Sequence, residues 1–508
     1  MKWLARPRKK LLVSIDWVDV PQLHCLVLAA RLRGRSLPLL WAVGLHALAH
    51  GHPRQWCSNN RPESCSLFTI SRIMLGRLKL AAPRLMSDGR SSVQTGDRSG
   101  PKDLDRLGRK RYRTFLSRHG ARSCWPGDAE MFPTGSHQRR GRQLSKRTVL
   151  YDRHVALGGR MVDFHGWALP VQYEGILAEH RHCRSSACLF DTSHMGQIII
   201  RTGDPQAVGR VTTQDAARLK VGRAKYGFLL NEAGGIIDDT VLMRIADGEF
   251  MLVVNAATAS GDFEWLSGHL RRKAELIDQS AAGWGKVDLQ GPLAGQVLAG
   301  LTDADLRDLG YFQVTRAAVC GRQCILSRTG YTGELGYEIY APGETISDIF
   351  DEILADGRVK PAGLGARDSL RLEMCYPLHG QDIHDQVNPL EADLGSFLES
   401  RHEYIGSAAL ARIAETGPAR KLIAFTTRGR RRARPGDEIR HAGQASGTVT
   451  SAAFAPSLDV SIGMGYVASR LAEPGTAVTI AGARAEIPAV VADKPIYKQG
   501  TCRTKEIL

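Results

Sequence analysis

Two adjacent aspartates, Asp238 and Asp239, lie inside a run of mostly β-branched and aliphatic residues at 234–245. If this run is a strand, its side chains alternate between two faces, so Asp238 shares a face with Thr240 and Arg244. The residues on the face of Asp239 are then Ile237, Val241, Met243 and Ile245. A carboxylate on an apolar face must be paired, hydrogen-bonded, protonated or in contact with a ligand, because leaving it bare is costly. The pattern indicates that Asp239 is a candidate ligand-binding residue; a satisfied structural aspartate at a strand end or bulge is the alternative.

A second carboxylate, Glu338, follows two glycine turns in the segment 328–340. On a strand it shares its face with Gly336 and Tyr340. A glycine beside a carboxylate leaves room for a flat ring against the backbone, while the carboxylate accepts N–H bonds from the ring edge. This arrangement suits a heterocycle with amino and amide N–H groups, and an exposed strand glutamate is the alternative.

A cationic candidate, Arg367, lies in the glycine-rich segment 363–374, where a turn opens a predicted helix. Arg371 follows one turn later on the same side. An arginine that projects from a helix start into a cleft can bind a carboxylate or carbonyl group with two N–H donors. Alternatively, Arg367 and Asp368 only cap the helix and balance its charge.

The elements that must position these residues are of both kinds. Residues 250–255 have the composition of a buried strand, and 262–270 that of the helix after it. Residues 335–340 predict another strand, and apolar residues in 344–354 recur on one helical face. The central part of the chain is therefore predicted to be of the α+β class.

The chain divides into three predicted regions. Residues 1–145 form a basic extension without a sustained helical or alternating pattern, which we expect to be disordered or poorly packed. Residues 146–415 form the body. Residues 416–508 form a C-terminal β domain, since strand patterns bounded by glycine and proline dominate from Lys421 onward.

The net charge of +16 belongs to one end of the chain. Residues 1–145 contain 27 Lys and Arg against 9 Asp and Glu, whereas the remainder contains 41 against 43. We interpret the extension first as the product of a mis-assigned translation start, with true initiation near Met131. A basic arm that binds nucleic acid is the alternative.

Several function classes lack their signatures. The 10 cysteines show no paired spacing, which favours a reducing compartment, and no apolar run reaches the roughly 18 residues of a membrane span. Dinucleotide, P-loop and nucleophile-elbow motifs are absent. His180, His182, Cys183 and Cys188 lack a second ligand pair, so we expect a helix with surface histidines and no metal. Acidic and basic groups in a cleft that lacks a nucleophile indicate that these groups orient a bound organic cofactor and transfer protons around it.

The sequence resembles the aminomethyltransferase family, the T proteins of the glycine cleavage system. The motifs that carry the resemblance occur in family order at 150–155, 164–173, 190–195, 231–239, 254–256, 289–292, 330–334, 365–373 and 447–451. The resemblance implies the folate-binding aminomethyltransferase fold, with a ferredoxin-like subdomain and a C-terminal β-barrel or jelly-roll-like domain around a central cavity. The segment after Pro495 departs from the family pattern, so the substrate contact that the family's tail supplies cannot be placed from sequence.

The resemblance also implies an activity. An enzyme of this family moves the methylene carbon from an aminomethyl-dihydrolipoyl carrier protein to tetrahydrofolate, and ammonia leaves. Asp239 matches the catalytic aspartate, Glu338 and Arg367 match the folate-binding pair, and Asn255 and Tyr226 are placed by neighbouring motifs. Tetrahydrofolate is the acceptor substrate, and the partner protein carries the lipoyl group. We expect no nucleic acid or membrane partner for the body, and a cytoplasmic location, or the mitochondrial matrix in a eukaryote.

Two related activities are alternatives. Folate-dependent demethylating domains share the fold, but they accompany a flavin-binding domain whose dinucleotide fingerprint is absent here. Folate-binding accessory proteins of iron–sulfur assembly bind without methylene transfer and carry a cysteine motif near the position of 401–406, which holds no cysteine in this chain.

Overall fold

The computed structural model describes residues 145–507 apart from 400, 430, 483 and 484, together with three strands nearer the N-terminus. These are β1 (Val13–Val20), β2 (Leu23–Leu32) and β3 (Arg35–Val43), which form an antiparallel sheet in that order. They occur where the sequence predicted no regular pattern, and the rest of the predicted extension lies outside the described residues. Residues 1–120 and 121–508 form separate compact units.

The larger unit contains both helices and strands. Its helices are α1 (Tyr151–Ala156), α2 (Ile176–Ser185), α3 (Pro205–Val211), α4 (Ala259–His269), α5 (Ala294–Ala299), α6 (Gly343–Leu354), α7 (Leu364–Glu373) and α8 (Ser407–Thr416). Its strands are β4 (Lys146–Arg147), β5 (Arg160–Phe164), β6 (Trp167–Gln172), β7 (Ala187–Asp191), β8 (Gly196–Arg201), β9 (Arg223–Leu230), β10 (Ile236–Ala246), β11 (Glu249–Val254), β12 (Glu275–Asp278), β13 (Trp284–Gln290), β14 (Val314–Val319), β15 (Arg322–Ser327), β16 (Gly336–Pro342), β17 (Val359–Pro361), β18 (Arg420–Thr427), β19 (Glu438–His441), β20 (Gln444–Ala455), β21 (Val460–Ala468), β22 (Ala477–Ala481) and β23 (Glu486–Ala492). None of the helices in this part of the chain has the length and apolar content of a membrane-spanning helix.

A five-stranded antiparallel sheet carries the aspartate pair on β10. Its strand order is β12-β8-β11-β10-β9. Alternate residues of β8 enter different cores, with Ile198 and Ile200 in one and Ile199 in the other. A sheet with apolar residues on both faces is buried between layers, so β10 holds its aspartates inside the protein.

A six-stranded sheet carries Glu338 on β16. Its order is β14-β15-β16-β13-β7-β17, and β17 pairs with β7 in the parallel direction. Helix α6 packs on this sheet through the buried face that the sequence predicted, formed by Ile346, Ile349, Phe350 and Ile353. Helix α7, which carries Arg367, packs against α2, β6 and β20 and so joins the body to the C-terminal strands.

The C-terminal strands close into a barrel, as predicted. The order is β18-β21-β20-β19-β22-β23, with β23 pairing back to β18. Closure leaves no unpaired sheet edge. Beyond the barrel the chain returns to the six-stranded sheet, where Ile507 is buried in its core and Cys502 N–H donates to the Gly333 carbonyl at 3.0 Å. A smaller sheet of order β4-β6-β5 completes the body.

Candidate active site

One cavity brings together all five residues singled out from the sequence. It has a volume of about 1230 Å³ and is lined by Asp239, Asn255 and Tyr226 from the five-stranded sheet, by Glu338 from β16 and by Arg367 from α7. These residues lie far apart in the sequence, so only the fold assembles them. A cavity of this size, lined by many charged and polar side chains as well as apolar ones, accommodates a polar organic molecule larger than a single ring.

Hydrogen bonds hold the carboxylate of Asp239 in place. Tyr226 donates its hydroxyl hydrogen to Oδ2 at 3.0 Å, and Asn255 donates from Nδ2 to Oδ1 at 2.8 Å. Tyr226 comes from the adjacent strand β9, and Asn255 directly follows β11 on the other side. The carboxylate is therefore fixed from both neighbouring strands while it faces the cavity.

The electrostatic surroundings of Asp239 favour its neutral form. Burial, and then the neighbouring carboxylate of Asp238, raise the pKa of Asp239 to about 6. Burial and the charge of Asp239 raise the pKa of Tyr226 as well, so the phenol stays a neutral donor. A carboxyl group with a pKa near neutrality can both accept and return a proton at physiological pH.

A β-bulge changes part of the predicted strand alternation. Ile236 lies opposite Leu230 and Asp238 opposite Leu229, which leaves Ile237 as an extra residue. The prediction that Ile237 shares the face of Asp239 is wrong, because Ile237 packs in the core on the other side of the sheet from Val241, Met243 and Ile245. No role was predicted for Asp238, which is fully buried and accepts hydrogen bonds from the backbone and side chain of Asn255, each at 2.8 Å.

Glu338 lies in a cluster of opposite charges. Lys286 Nζ lies 3.3 Å from Glu338 Oε1 and 2.5 Å from Asp288 Oδ1, and Arg367 Nη1 donates to Asp288 Oδ2 at 3.0 Å. Tyr340 donates its hydroxyl hydrogen to Glu338, which confirms that the two share a face. Burial would raise the pKa of Asp288, but Lys286 and Arg367 outweigh it and hold that pKa below its usual range.

The space beside Gly336 differs from the prediction. A Cβ there would lie 2.3 Å from the amide of Gln290, so a side chain from the facing strand fills the gap expected to receive a ring. The alternative that Arg367 and Asp368 only cap the helix and balance its charge holds in part: Asp368 pairs with Arg371 within α7 at 2.8 Å, but neither residue caps the helix and Arg367 donates to Asp288. Arg367 also lies over the ring of Tyr331, with 4.9 Å from its guanidinium carbon to the ring centre.

Two cavity histidines received no role from the sequence. His194 Nδ1 and His379 Nε2 are buried and have no hydrogen-bond partner within the described part of the chain. Burial lowers the pKa of His194 to about 3, so its ring is neutral. Buried polar atoms without partners are rare in native proteins, so these two atoms fit a polar ligand. His194 lies within the motif 190–195, and that motif was the signal available in the sequence.

The histidine–cysteine cluster does not have the surface character that we expected. His180 is fully buried and hydrogen-bonds to Ser369 and Ser457 at 2.8 and 2.9 Å. Elsewhere, possible ligand atoms of Asp215, Glu399 and His402 lie within 4.8 Å of one another. The Lys225 ammonium contacts Glu399 there, so this carboxylate already has a cation.

Comparison with known proteins gives the family. The model of the GCVT N-terminal domain matches residues 150–402, and that of the glycine cleavage T-protein C-terminal barrel domain matches residues 420–498. An aminomethyltransferase of Desulforamulus reducens is 40% identical over 364 residues, which cover 70% of this chain and 99% of that protein. The chain belongs to the glycine cleavage T-protein family. An aminomethyltransferase of Halothermothrix orenii is 38% identical over 340 residues, which cover 66% of this chain and 95% of that protein.

The fold of the T-protein family accounts for the body and the barrel together. The crystal structure of the glycine cleavage system aminomethyltransferase T from Bartonella henselae is 34% identical and superimposes with a TM-score of 0.67, over 70% of this chain and 99% of that one. The tail that could not be placed from sequence reaches the cavity, where Lys494, Pro495 and Arg503 form part of the wall.

Proposed function

We propose that this protein is the aminomethyltransferase of a glycine cleavage system. It takes the methylene carbon from an aminomethyl group on the dihydrolipoyl arm of a carrier protein and passes it to tetrahydrofolate, and ammonia leaves. The observation that carries the proposal is the position of Asp239, whose carboxylate faces the cavity and is held there by Tyr226 and Asn255. The family to which the chain belongs supports the same reaction.

The charged cluster around Lys286 has the groups to hold the pterin ring of the folate. Glu338 still has free acceptor positions after its contacts with Tyr340 and Lys286, so it can accept N–H bonds from the ring edge. Arg367 donates to Asp288 through Nη1 and keeps other N–H donors for a carbonyl oxygen. The pairing with Asp288 fixes the guanidinium before a ligand arrives, which lowers the entropy lost on binding.

The proton balance of the reaction indicates a proton-transfer role for Asp239. The transferred carbon breaks its bonds to sulfur and to the amine nitrogen and forms two bonds to folate nitrogens, which lose two protons. One of these protons ends on the sulfur and the other on the leaving amine. At pH 7 a carboxyl group with a pKa of about 6 is mostly ionised, so Asp239 can accept a proton from a folate N–H and deliver it to a leaving group. Fixed hydrogen bonds from Tyr226 and Asn255 keep the carboxylate in the orientation that this transfer needs.

The proposal is tested by reconstitution. The full chain is incubated with tetrahydrofolate and a carrier protein loaded with the aminomethyl group, and ammonia and methylene-tetrahydrofolate are measured. We expect the two products in equal amounts, and neither without folate or with unloaded carrier. Sarcosine and dimethylglycine serve as alternative donors. Product formation from these two, with none from the loaded carrier, would favour a demethylating activity and contradict the proposal.

The location of the protein is part of the proposal. The reaction requires folate and a lipoyl-bearing carrier in the same compartment, so we place the protein in the cytoplasm, or in the mitochondrial matrix if the source is a eukaryote. The absence of paired cysteine spacing in the sequence agrees with a reducing compartment.

A further inference from the structure

A third aspartate, Asp262, lies behind the pair on β10. It belongs to helix α4 (Ala259–His269), is fully buried, and neither of its carboxylate oxygens has a hydrogen-bond partner among the described residues. The carboxyl groups of Asp238 and Asp239 on β10 are the charged groups that face it. A buried carboxyl group in this position needs an explanation, because the Thr258 hydroxyl favours its ionised form but no cation lies beside it in the described part of the chain.

The surroundings of Asp238 and Asp262 are unequal. Both oxygens of Asp238 accept hydrogen bonds from Asn255, one from its backbone and one from its side chain. Within the described part of the chain, no lysine or arginine pairs with either aspartate, and the nearest possible cation is His379, with Nδ1 3.8 Å from Asp238 Oδ1. Two carboxyl groups that share a buried space cannot both be ionised without compensation. The donors stabilise the negative charge on Asp238, so the proton belongs on Asp262.

We infer that Asp262 is a neutral carboxylic acid that donates its O–H to Asp238, and that it acts as a positioning residue for Asp239. The proton turns a contact between two acceptors into an O–H···O bond and leaves the pair with one negative charge. Asp238 then holds Asn255, and Asn255 holds Asp239. The structural part of this inference stands by itself, whereas its catalytic consequence rests on the proposed function.

The local electrostatics agree with the geometry. Burial, followed by the charge of Asp238, raises the pKa of Asp262 to about 9, whereas the pKa of Asp239 reaches only about 6. At pH 8 the two groups are therefore in opposite states, with Asp262 protonated and Asp239 ionised. This difference allows them to be observed separately.

The first test is infrared spectroscopy of the full chain at pH 8, where a protonated carboxyl group gives a C=O stretching band distinct from that of a carboxylate. We expect a band in the wild type that is lost in Asp262→Asn and kept in Asp239→Asn, the matched control. Absence of the band from the wild type, or its persistence in Asp262→Asn, would overturn the inference. This measurement is independent of activity, so it still applies if the reconstituted reaction fails.

The second test addresses positioning. Asp262→Leu removes the donor to Asp238 and should lower kcat about tenfold, the effect of losing one hydrogen bond to a charged group. Asp262→Asn supplies an N–H donor at every pH and should restore most of that loss. Equal losses in both variants would show that the acid is required for another reason and would contradict the positioning role. If the leucine variant does not fold, the infrared comparison of the asparagine variant decides.

Discussion

Two clusters of carboxyl groups, each with one carboxyl group on the cavity wall, hold their charges in opposite ways, and we call them the Asp239 end and the Lys286 end. At the Asp239 end, formed by Asp238, Asp239 and Asp262, burial without a paired lysine or arginine raises the pKa of Asp239 and of Asp262. At the Lys286 end, formed by Lys286, Asp288, Glu338 and Arg367, two cations keep the pKa of Asp288 low. Burial is common to both ends, so the presence of cations decides the protonation state. One end can therefore move protons, while the other presents fixed charges to a ligand.

Strand geometry produces this difference. On β13, Lys286 and Asp288 are two residues apart and share a face, and Asp288 lies directly opposite Glu338 on β16. The pairing register of β13 and β16 therefore places Lys286 beside the carboxylates of Asp288 and Glu338. On β10 the two aspartates are adjacent, and the strands beside them contribute a phenol and an amide in place of a cation. Hydrogen bonds orient the acids there without fully compensating their charge.

The largest expected effect concerns the Lys286 end. Lys286→Met leaves Asp288 buried without its nearest cation, and we expect the free energy of unfolding to fall by about 3–5 kcal/mol, as when one partner of a buried ion pair is removed. Urea unfolding followed by circular dichroism measures the change. Lys360→Met is the control, because Lys360 pairs with Glu174 at the surface and should contribute at most about 1 kcal/mol. Similar losses in the two variants would show that Lys286 is not a structural cation.

At the Asp239 end, in contrast, a substitution should lower activity and raise stability. Asp239→Asn removes the proton acceptor, so we expect kcat to fall a hundredfold or more, or about 2.7 kcal/mol in the barrier. The native pKa of Asp239 lies above the unfolded value of about 3.9, so its ionised form lowers stability at pH 8. The variant should then be more stable than wild type by roughly 1–3 kcal/mol at that pH. Unchanged turnover would remove Asp239 from its role.

The sequence was sufficient to predict that Asp239 faces the cavity and insufficient to predict the groups around it. The alternation along one strand and the motifs of the family are local patterns, so they identified Asp239, Glu338 and the α+β body with its barrel. The partners of these residues come from other strands. Gln290 fills the space beside Gly336, and Asp262 approaches Asp238 from a helix. Such contacts depend on register and on the bulge at Ile237, which single-strand patterns do not encode.

A smaller effect is expected in the pH profile of the reaction. Asp239 must be ionised to accept a proton, so kcat/KM should fall below an apparent pKa of about 6, by up to tenfold for each pH unit. Glu338→Gln, which changes the Lys286 end, should weaken folate binding but leave the acid limb in place. A limb that moves with Glu338→Gln would mean that the two ends do not act separately.

The smallest expected effect comes from one hydroxyl group. Tyr226→Phe removes the donor to Asp239 Oδ2, which stabilises the ionised carboxylate, so the acid limb of kcat/KM should move upward by about 0.5–1 pH unit. Tyr340→Phe is the matched control at the Lys286 end, because Tyr340 donates to Glu338 in the same way. We expect that variant to keep the acid limb of the wild type. Of these two phenols, only Tyr226 contacts Asp239. Equal shifts in both variants would therefore contradict the assignment of the acid limb to Asp239.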